Sequence, residues 1–192
     1  MKKLLSYMML CSFLTYSCAA YIPFRLGNLH GDSVYYGEGR HPGIDFDIPK
    51  GKPIIAVSSG KVEYVGEPCP NERHCGGFLV RIRHGDHFSS NYMHLSKVYV
   101  DRDESVKRGQ LIGLSGASNS GYEHLHFGIV KIGGSGEMYS QTYDPNKFWL
   151  DGKPQCFDPS KDYSEYSQKG ITLPIACGDY AKELKSKTKK QD

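Results

Sequence analysis

Long apolar runs are absent from this sequence of 192 residues. The apolar stretch from Leu4 to Leu14 is too short to cross a bilayer, and no later segment qualifies as a membrane helix. A strong charge imbalance is absent as well, because the formal net charge is only +3. These absences exclude a transmembrane span and a basic nucleic-acid-binding surface from our expectations.

A convincing 3.6-residue apolar period is also absent, and Tyr180–Lys187 is the one stretch that could form a short terminal helix. The sequence has 22 Gly and 14 Tyr, which favours turns and aromatic-bearing strands. From Ile54 to Ile132, short strand-like segments alternate with glycine turns. The sequence therefore predicts an all-β, antiparallel core of hairpins, either a sandwich or an open barrel.

Two hairpins are expected within this core. Phe78–His84 alternates apolar and basic residues, which places Phe78 on one face with Val80 and Ile82, and Gly85-Asp86 then turns the chain into Phe88–His94. Upstream, Pro53–Val57 and Lys61–Val65 flank Gly60, and we expect them to pair with each other. Leu111–Leu114 and His124–Ile132 supply further strands.

The amino terminus has the organisation of a secretory signal. Lys2-Lys3 precedes the apolar stretch, which ends in the small residues Ser17-Cys18-Ala19-Ala20. We therefore expect residues 1–20 to be a signal peptide and the protein to be exported, either periplasmic or secreted. Ser17 before Cys18 also partly resembles a lipoprotein processing site, so an anchor through Cys18 is the alternative.

Four cysteines remain outside this segment: Cys69, Cys75, Cys156 and Cys177. They permit three pairings, of which the local ones, Cys69–Cys75 and Cys156–Cys177, are the simplest in an oxidising compartment. A four-cysteine zinc site is disfavoured because the spacings lack the C-x2-C form.

Histidines occur in three patterned segments. In His41-Pro-Gly-Ile-Asp45, a turn can fold the imidazole back towards the carboxylate. In His124-Leu-His126, both imidazoles share one face of a strand. His94 is expected to end a strand. Histidine and carboxylate groups together are a ligand set that zinc accepts, with an open position for water. The other histidines, His30, His74, His84 and His87, are expected to be exposed polar residues.

The order of these motifs resembles the lysostaphin-type (LytM-like) zinc metalloendopeptidases of bacterial cell wall. The resemblance extends from about Gly27 to Val130. It is carried by the segments His41–Asp47, Pro49–Val57, Ser59–Val62, Val80–Gly85, Tyr92–Ser96, Val106–Gly113 and Ser115–Phe127.

This resemblance implies that His41, Asp45 and His126 hold one Zn²⁺ per chain and that His94 and His124 are catalytic. It implies a β-sheet groove with loop walls that acts on peptide cross-links of peptidoglycan. We expect the chain to be a monomer. The corresponding organisation is a signal peptide at 1–20, a LytM-like metallopeptidase domain at 21–150 and a cysteine-clipped extension with a basic tail at 151–192.

The sequence departs from the common pattern of the family in the Cys69–Cys75 stretch, in the cysteine-clipped tail and at Glu123. Glu123 stands where relatives commonly have Pro, and its carboxylate could change local pKa values or the shape of the loop. Asn28 lies where some relatives place a metal-blocking Asn, although an ordinary turn residue is the simpler interpretation. The alternative function is a non-catalytic, zinc-bearing binding or regulatory module at the cell wall, which would not need His94 and His124.

Overall fold

A computed structural model describes residues 25–27, 29, 40–68, 75–132, 141–166 and 170–188 of the chain. The predicted signal peptide with Cys18, and also Asn28, His30, Cys69 and His74, lie outside these ranges. Among the described residues, no helix has the length and apolar character that crossing a membrane requires.

The described chain forms ten strands, three 3-10 turns and one α-helix. The strands are β1 (Arg25–Leu26), β2 (Ile44–Asp47), β3 (Pro53–Ile55), β4 (Gly60–Gly66), β5 (Phe78–His84), β6 (Phe88–Val98), β7 (Ser105–Val106), β8 (Leu111–Ala117), β9 (Glu123–Val130) and β10 (Thr142–Tyr143). The 3-10 turns are Pro145–Lys147, Leu150–Gly152 and Ser164–Tyr166, and the helix is α1 (Gly178–Thr188).

The strands form one antiparallel sheet with the order β1-β2-β9-β8-β6-β5-β4-β7. The long strand β6 has two partners on one side, because Ser89–Met93 pairs with β9 and Leu95–Val98 pairs with β8. No pairing of the described strands joins β1 to β7, so the sheet stays open. The prediction of an all-β antiparallel core is confirmed, and α1 covers the predicted helical stretch.

The expected pairing of Pro53–Val57 with Lys61–Val65 is wrong. In the structure β3 pairs with β8, whereas β4 pairs with β5 and β7. Val57, which follows β3, is held by side chains instead: its N–H donates to the Tyr92 hydroxyl, and its carbonyl accepts from Arg108. A local turn is thereby replaced by long-range contacts.

The prediction that Phe78 shares a face with Val80 and Ile82 is also wrong. Val80 and Ile82 are buried, but the register between β5 and β6 shifts between Phe78 and Val80. Such a bulge reverses the facing of the residues before it. Phe78 is consequently 40% exposed.

The carboxyl-terminal segment completes the core of the sheet. Ile171, Leu173 and Ile175 are buried and belong to the same hydrophobic cluster as the strands. Cys156 and Cys177 form a disulfide that closes this segment on itself. The predicted Cys156–Cys177 pairing is thus present in the structure, whereas the Cys69–Cys75 pairing involves a cysteine outside the described residues.

Candidate active site

Strands β2 and β9 place the first candidate residues opposite each other. Asp45 pairs with His126 in the antiparallel register of these strands. The turn before β2 returns His41 to the same place, so that its Nε2 lies 3.1 Å from Asp45 Oδ1. Residues 81 positions apart in sequence are therefore neighbours because the two strands are adjacent.

Gly43 permits the close approach of this turn to β9. A Cβ atom at this position would lie 2.3 Å from the carbonyl oxygen of Phe127 and 2.9 Å from Nε2 of His126. Both distances are far below van der Waals contact, so a side chain here would push β2 away from β9. The His-Pro-Gly turn is thus a packing requirement of the site.

Three ligand atoms converge at the centre of the site. Nδ1 of His126 lies 3.0 Å from Oδ1 of Asp45 and 3.0 Å from Nε2 of His41. Three lone-pair-bearing atoms this close need a shared proton or cation between them. Zinc bonds of about 2.0–2.1 Å in a tetrahedron put neighbouring ligand atoms about 3.3 Å apart. The cluster therefore fits a zinc ion with small adjustments.

The surroundings of the cluster orient its ligands. Nδ1 of His41 donates to the carbonyl oxygen of Leu29 at 3.1 Å, which leaves the lone pair on Nε2 for a metal. Burial alone would raise the pKa of the Asp45 carboxyl, but the interactions of the carboxyl with the adjacent His126 and His41 imidazoles outweigh it. The pKa of Asp45 is held far below its ordinary value, so the carboxylate is charged and ready to bind a cation.

His94 enters the site from an irregular point of β6. Its φ is +63°, in the left-handed region that non-glycine residues seldom adopt. It lies between Met93, the last residue paired with β9, and Leu95, the first paired with β8. The strained backbone at this change of partner directs the imidazole beside that of His124, with the ring centroids 4.5 Å apart.

Carbonyl oxygens hold the Nδ1 atoms of both additional histidines. Nδ1 of His94 donates to the Gly76 carbonyl at 3.0 Å, and Nδ1 of His124 donates to the Tyr122 carbonyl at 3.0 Å. Because a carbonyl can only accept, Nδ1 carries the hydrogen, and the neutral ring keeps a lone pair on Nε2. Nε2 of His124 lies 3.7 Å from Oδ1 of Asp45, next to the ligand cluster.

Burial keeps these two imidazoles neutral at physiological pH. Desolvation, followed by the charge of His124, lowers the pKa of His94 to about 4. Desolvation also lowers the pKa of His124, although the Asp45 carboxylate opposes this effect. Neutral rings with a lone pair on Nε2 are proton acceptors, so the site places two proton acceptors beside a ligand cluster that fits a cation.

The structure thus brings all five predicted site residues together, and each is buried to between 3% and 8% exposure. The prediction for His84 is wrong: this residue is fully buried, and its ring contacts the Ser59 carbonyl and the Ser90 hydroxyl. His87 is exposed as expected.

The expected influence of Glu123 on the site has a structural outcome. Its carboxylate accepts from the backbone N–H of Lys50 at 3.0 Å, so it ties β9 to the connection between β2 and β3. This hydrogen bond is the structural route by which Glu123 acts on the shape of the loop.

Two contributors to the site could not be recognised from the sequence. The Gly76 carbonyl is a backbone group in a loop, and the residue type at this position does not indicate that the carbonyl contacts His94. Tyr122 stacks on the His124 ring with centroids 4.6 Å apart and planes inclined by 29°. In the sequence, its position two residues before His124 was the only indication that Tyr122 contributes to the site.

Comparison with known proteins supports the motif-based resemblance. The family model described as Peptidase family M23 matches residues 39–143, more than half of the chain. The structure is similar to the catalytic domain of the antimicrobial peptidase lysostaphin from Staphylococcus simulans, with a TM-score of 0.56 and 33% identity. That match covers 65% of this chain and 90% of the lysostaphin domain.

Curated relatives with different names share this region. The peptidoglycan DD-endopeptidase ShyA of Vibrio cholerae is 38% identical over 96 residues, which are 48% of this chain and 21% of the relative. The murein hydrolase activator NlpD of Escherichia coli is 37% identical over 92 residues, which are 48% of this chain and 23% of the relative. The chain therefore matches less than a quarter of the length of either relative.

Proposed function

The chain belongs to peptidase family M23, and on that premise we propose that it is an exported zinc metalloendopeptidase that hydrolyses peptide cross-links of peptidoglycan. The relatives named as a peptidoglycan endopeptidase and as lysostaphin support the substrate class. The predicted signal peptide supports export, and an anchor through Cys18 is the alternative to a soluble form.

One observation carries the proposal. The ligand atoms of His41, Asp45 and His126 converge within 3.0–3.1 Å of one another, directly beside the rings of His94 and His124. A cluster that only bound a metal would gain nothing from two additional buried imidazoles, whose desolvation costs free energy. Amide hydrolysis needs both the metal-binding cluster and the two additional imidazoles.

The residues divide the work of amide hydrolysis. His41, Asp45 and His126 would hold zinc, which when bound lowers the pKa of a coordinated water to about 7 and polarises a carbonyl group. His94 and His124 accept a proton at Nε2, because their Nδ1–H groups are committed to carbonyl oxygens. Once protonated, the same Nε2 becomes a donor for the oxyanion and for the departing amine.

Digestion of purified peptidoglycans tests the proposal. Sacculi with several types of peptide cross-link are incubated with the zinc-loaded protein, and the products are analysed by mass spectrometry. We expect cleavage of peptide bonds in at least one type, loss of cleavage after chelation, and recovery on adding zinc. Intact cross-links in every type, with zinc bound stoichiometrically, would contradict the proposed activity.

A non-catalytic regulatory role is the alternative, because a murein hydrolase activator is among the relatives. Such a module would use the three-ligand cluster for structure or partner binding and would not depend on His94 or His124. It would stimulate a separate hydrolase without cutting peptide bonds itself. The same digestion, performed with and without an added cell-wall hydrolase, distinguishes the two roles.

A further inference from the structure

Tyr122 makes three separate contacts around the site. Its backbone carbonyl accepts from Nδ1 of His124 at 3.0 Å, and its ring stacks on the His124 imidazole. Its hydroxyl donates to the carboxylate of Asp47. The residue is nevertheless 47% exposed, so packing in the core does not explain the position of its ring.

These contacts join the two strands that supply the site. Asp47 lies on β2, two residues after Asp45, whereas Tyr122 directly precedes β9, which carries His124 and His126. The Tyr122 side chain is therefore a bridge from one strand to the imidazole on the other. It is fixed at its hydroxyl end by Asp47 and presents its ring face to His124.

A single hydrogen bond at Nδ1 fixes which nitrogen of His124 faces the site, but it leaves the imidazole free to tilt about that bond. A stacked aromatic ring removes this freedom, because tilting would separate the two faces. Proton transfer requires Nε2 to point at its partner within a narrow range of angles, and small misplacements cost much of the rate.

We propose that Tyr122 is a positioning residue that fixes the ring plane of His124 through the Asp47–Tyr122–His124 contacts. This inference rests on the proposed function insofar as His124 acts as a base. The fixed orientation itself is independent of that function and can be measured separately.

The experiment compares three variants with the wild type. Tyr122→Ala removes the stacked ring, and Tyr122→Phe keeps the ring but removes the contact with Asp47. Tyr64→Ala is the matched control, because Tyr64 is a partly exposed tyrosine outside the site whose hydroxyl donates to the nearby Glu67 carbonyl. Circular dichroism checks folding, and Tyr122→Leu replaces the alanine variant if that variant unfolds.

Two readouts are recorded for each protein. The first is hydrogen exchange of the His124 Nδ1–H proton by NMR on ¹⁵N-histidine-labelled protein, assigned with His124→Ala. The His94 Nδ1–H proton, held by the Gly76 carbonyl, is the internal reference. The second is kcat and KM on a peptidoglycan fragment that the wild type cleaves.

We expect Tyr122→Ala to speed His124 Nδ1–H exchange by about tenfold or more while the His94 proton is unchanged. We expect its kcat to fall about tenfold to a hundredfold with KM and bound zinc preserved. For Tyr122→Phe, the exchange rate and kcat should stay within about threefold of wild type, as for loss of one exposed hydrogen bond. For Tyr64→Ala, both should match wild type.

Unchanged exchange at His124 in Tyr122→Ala or Tyr122→Leu would overturn the inference, as would a rise in KM with kcat preserved. If the wild type cleaves no peptidoglycan, the proposed function fails, whereas the exchange measurement still decides whether Tyr122 orients His124.

Discussion

Asp45 and His126 face each other across strands β2 and β9, and their side chains meet at 3.0 Å. The opposite face of each strand enters the core and is apolar: Ile44 and Phe46 flank Asp45, and Leu125 and Phe127 flank His126. The register that buries these neighbours therefore also brings the two polar side chains together. The pairing of β2 with β9 thus also assembles the contact between Asp45 and His126.

The first prediction concerns the two bases. His94→Ala and His124→Ala should each keep bound zinc but lose hydrolysis by about a hundredfold to ten-thousandfold, as for removal of a general base. Zinc per chain and kcat on a cleavable fragment are measured together. His87→Ala, at an exposed histidine outside the site, is the control. Wild-type cleavage by either variant would disprove the assigned role of that histidine.

The second prediction concerns Gly43. Gly43→Ala should weaken zinc binding, because the added methyl group would collide with the Phe127 carbonyl and with the His126 ring. Gly152→Ala is the matched control: its Cβ would meet open space, and its positive φ costs stability without touching the site. Zinc titration should show weaker affinity for Gly43→Ala alone. Equal affinities in the two variants would contradict the packing argument.

The third prediction concerns stability and pH. Burial lowers the pKa of His84 to about 4 from its ordinary value of 6.5. Between these values the unfolded chain binds a proton that the folded chain does not, so the free energy of unfolding falls as pH falls. The contribution of neutral His84 to the free energy of unfolding is complete above pH 6.5, and about 3 kcal/mol of it is lost by pH 4.

His84→Gln keeps a polar side chain next to the Ser59 carbonyl and the Ser90 hydroxyl but removes the titration. Urea unfolding at several pH values from 7 to 4 should show a smaller loss of stability for this variant. The remaining loss comes from other groups, including His94. Identical pH profiles for variant and wild type would show that His84 does not titrate as described.

The fourth prediction concerns the disulfide between Cys156 and Cys177. The bond closes a loop with a sequence separation of 21 residues, and the chain-entropy argument gives it about 3 kcal/mol of stabilisation. The Cys156→Ser/Cys177→Ser variant should unfold at lower denaturant concentration. It should retain zinc, because neither cysteine belongs to the cluster of His41, Asp45 and His126. Loss of zinc at full stability would mean that the segment supports the site directly.

Much of the site was predictable because its residues occur in short local patterns. A strand places alternate residues on one face, so His124 and His126 were expected to project together, and the His-Pro-Gly turn was expected to return His41 to Asp45. The convergence of these two segments depends on the pairing of β2 with β9. Only the resemblance to known metallopeptidases pointed to that convergence before the structure did.

The remaining features depend on long-range contacts. The left-handed backbone at His94 follows from the change of partner along β6, which no local pattern encodes. The position of β3 follows from contacts of Val57 with Tyr92 and Arg108, which are distant in sequence. His84 is buried because Ser59 and Ser90 satisfy its ring, and their proximity is visible only in the folded sheet.

Metal analysis of the purified protein tests the central claim most directly. Zinc per chain is measured for the wild type, for His126→Ala and for the control His87→Ala. The convergence of His41, Asp45 and His126 predicts one zinc per wild-type and control chain. It also predicts loss of that zinc in His126→Ala. A wild-type protein without stoichiometric zinc, or a His126→Ala variant that retains it, would contradict the account.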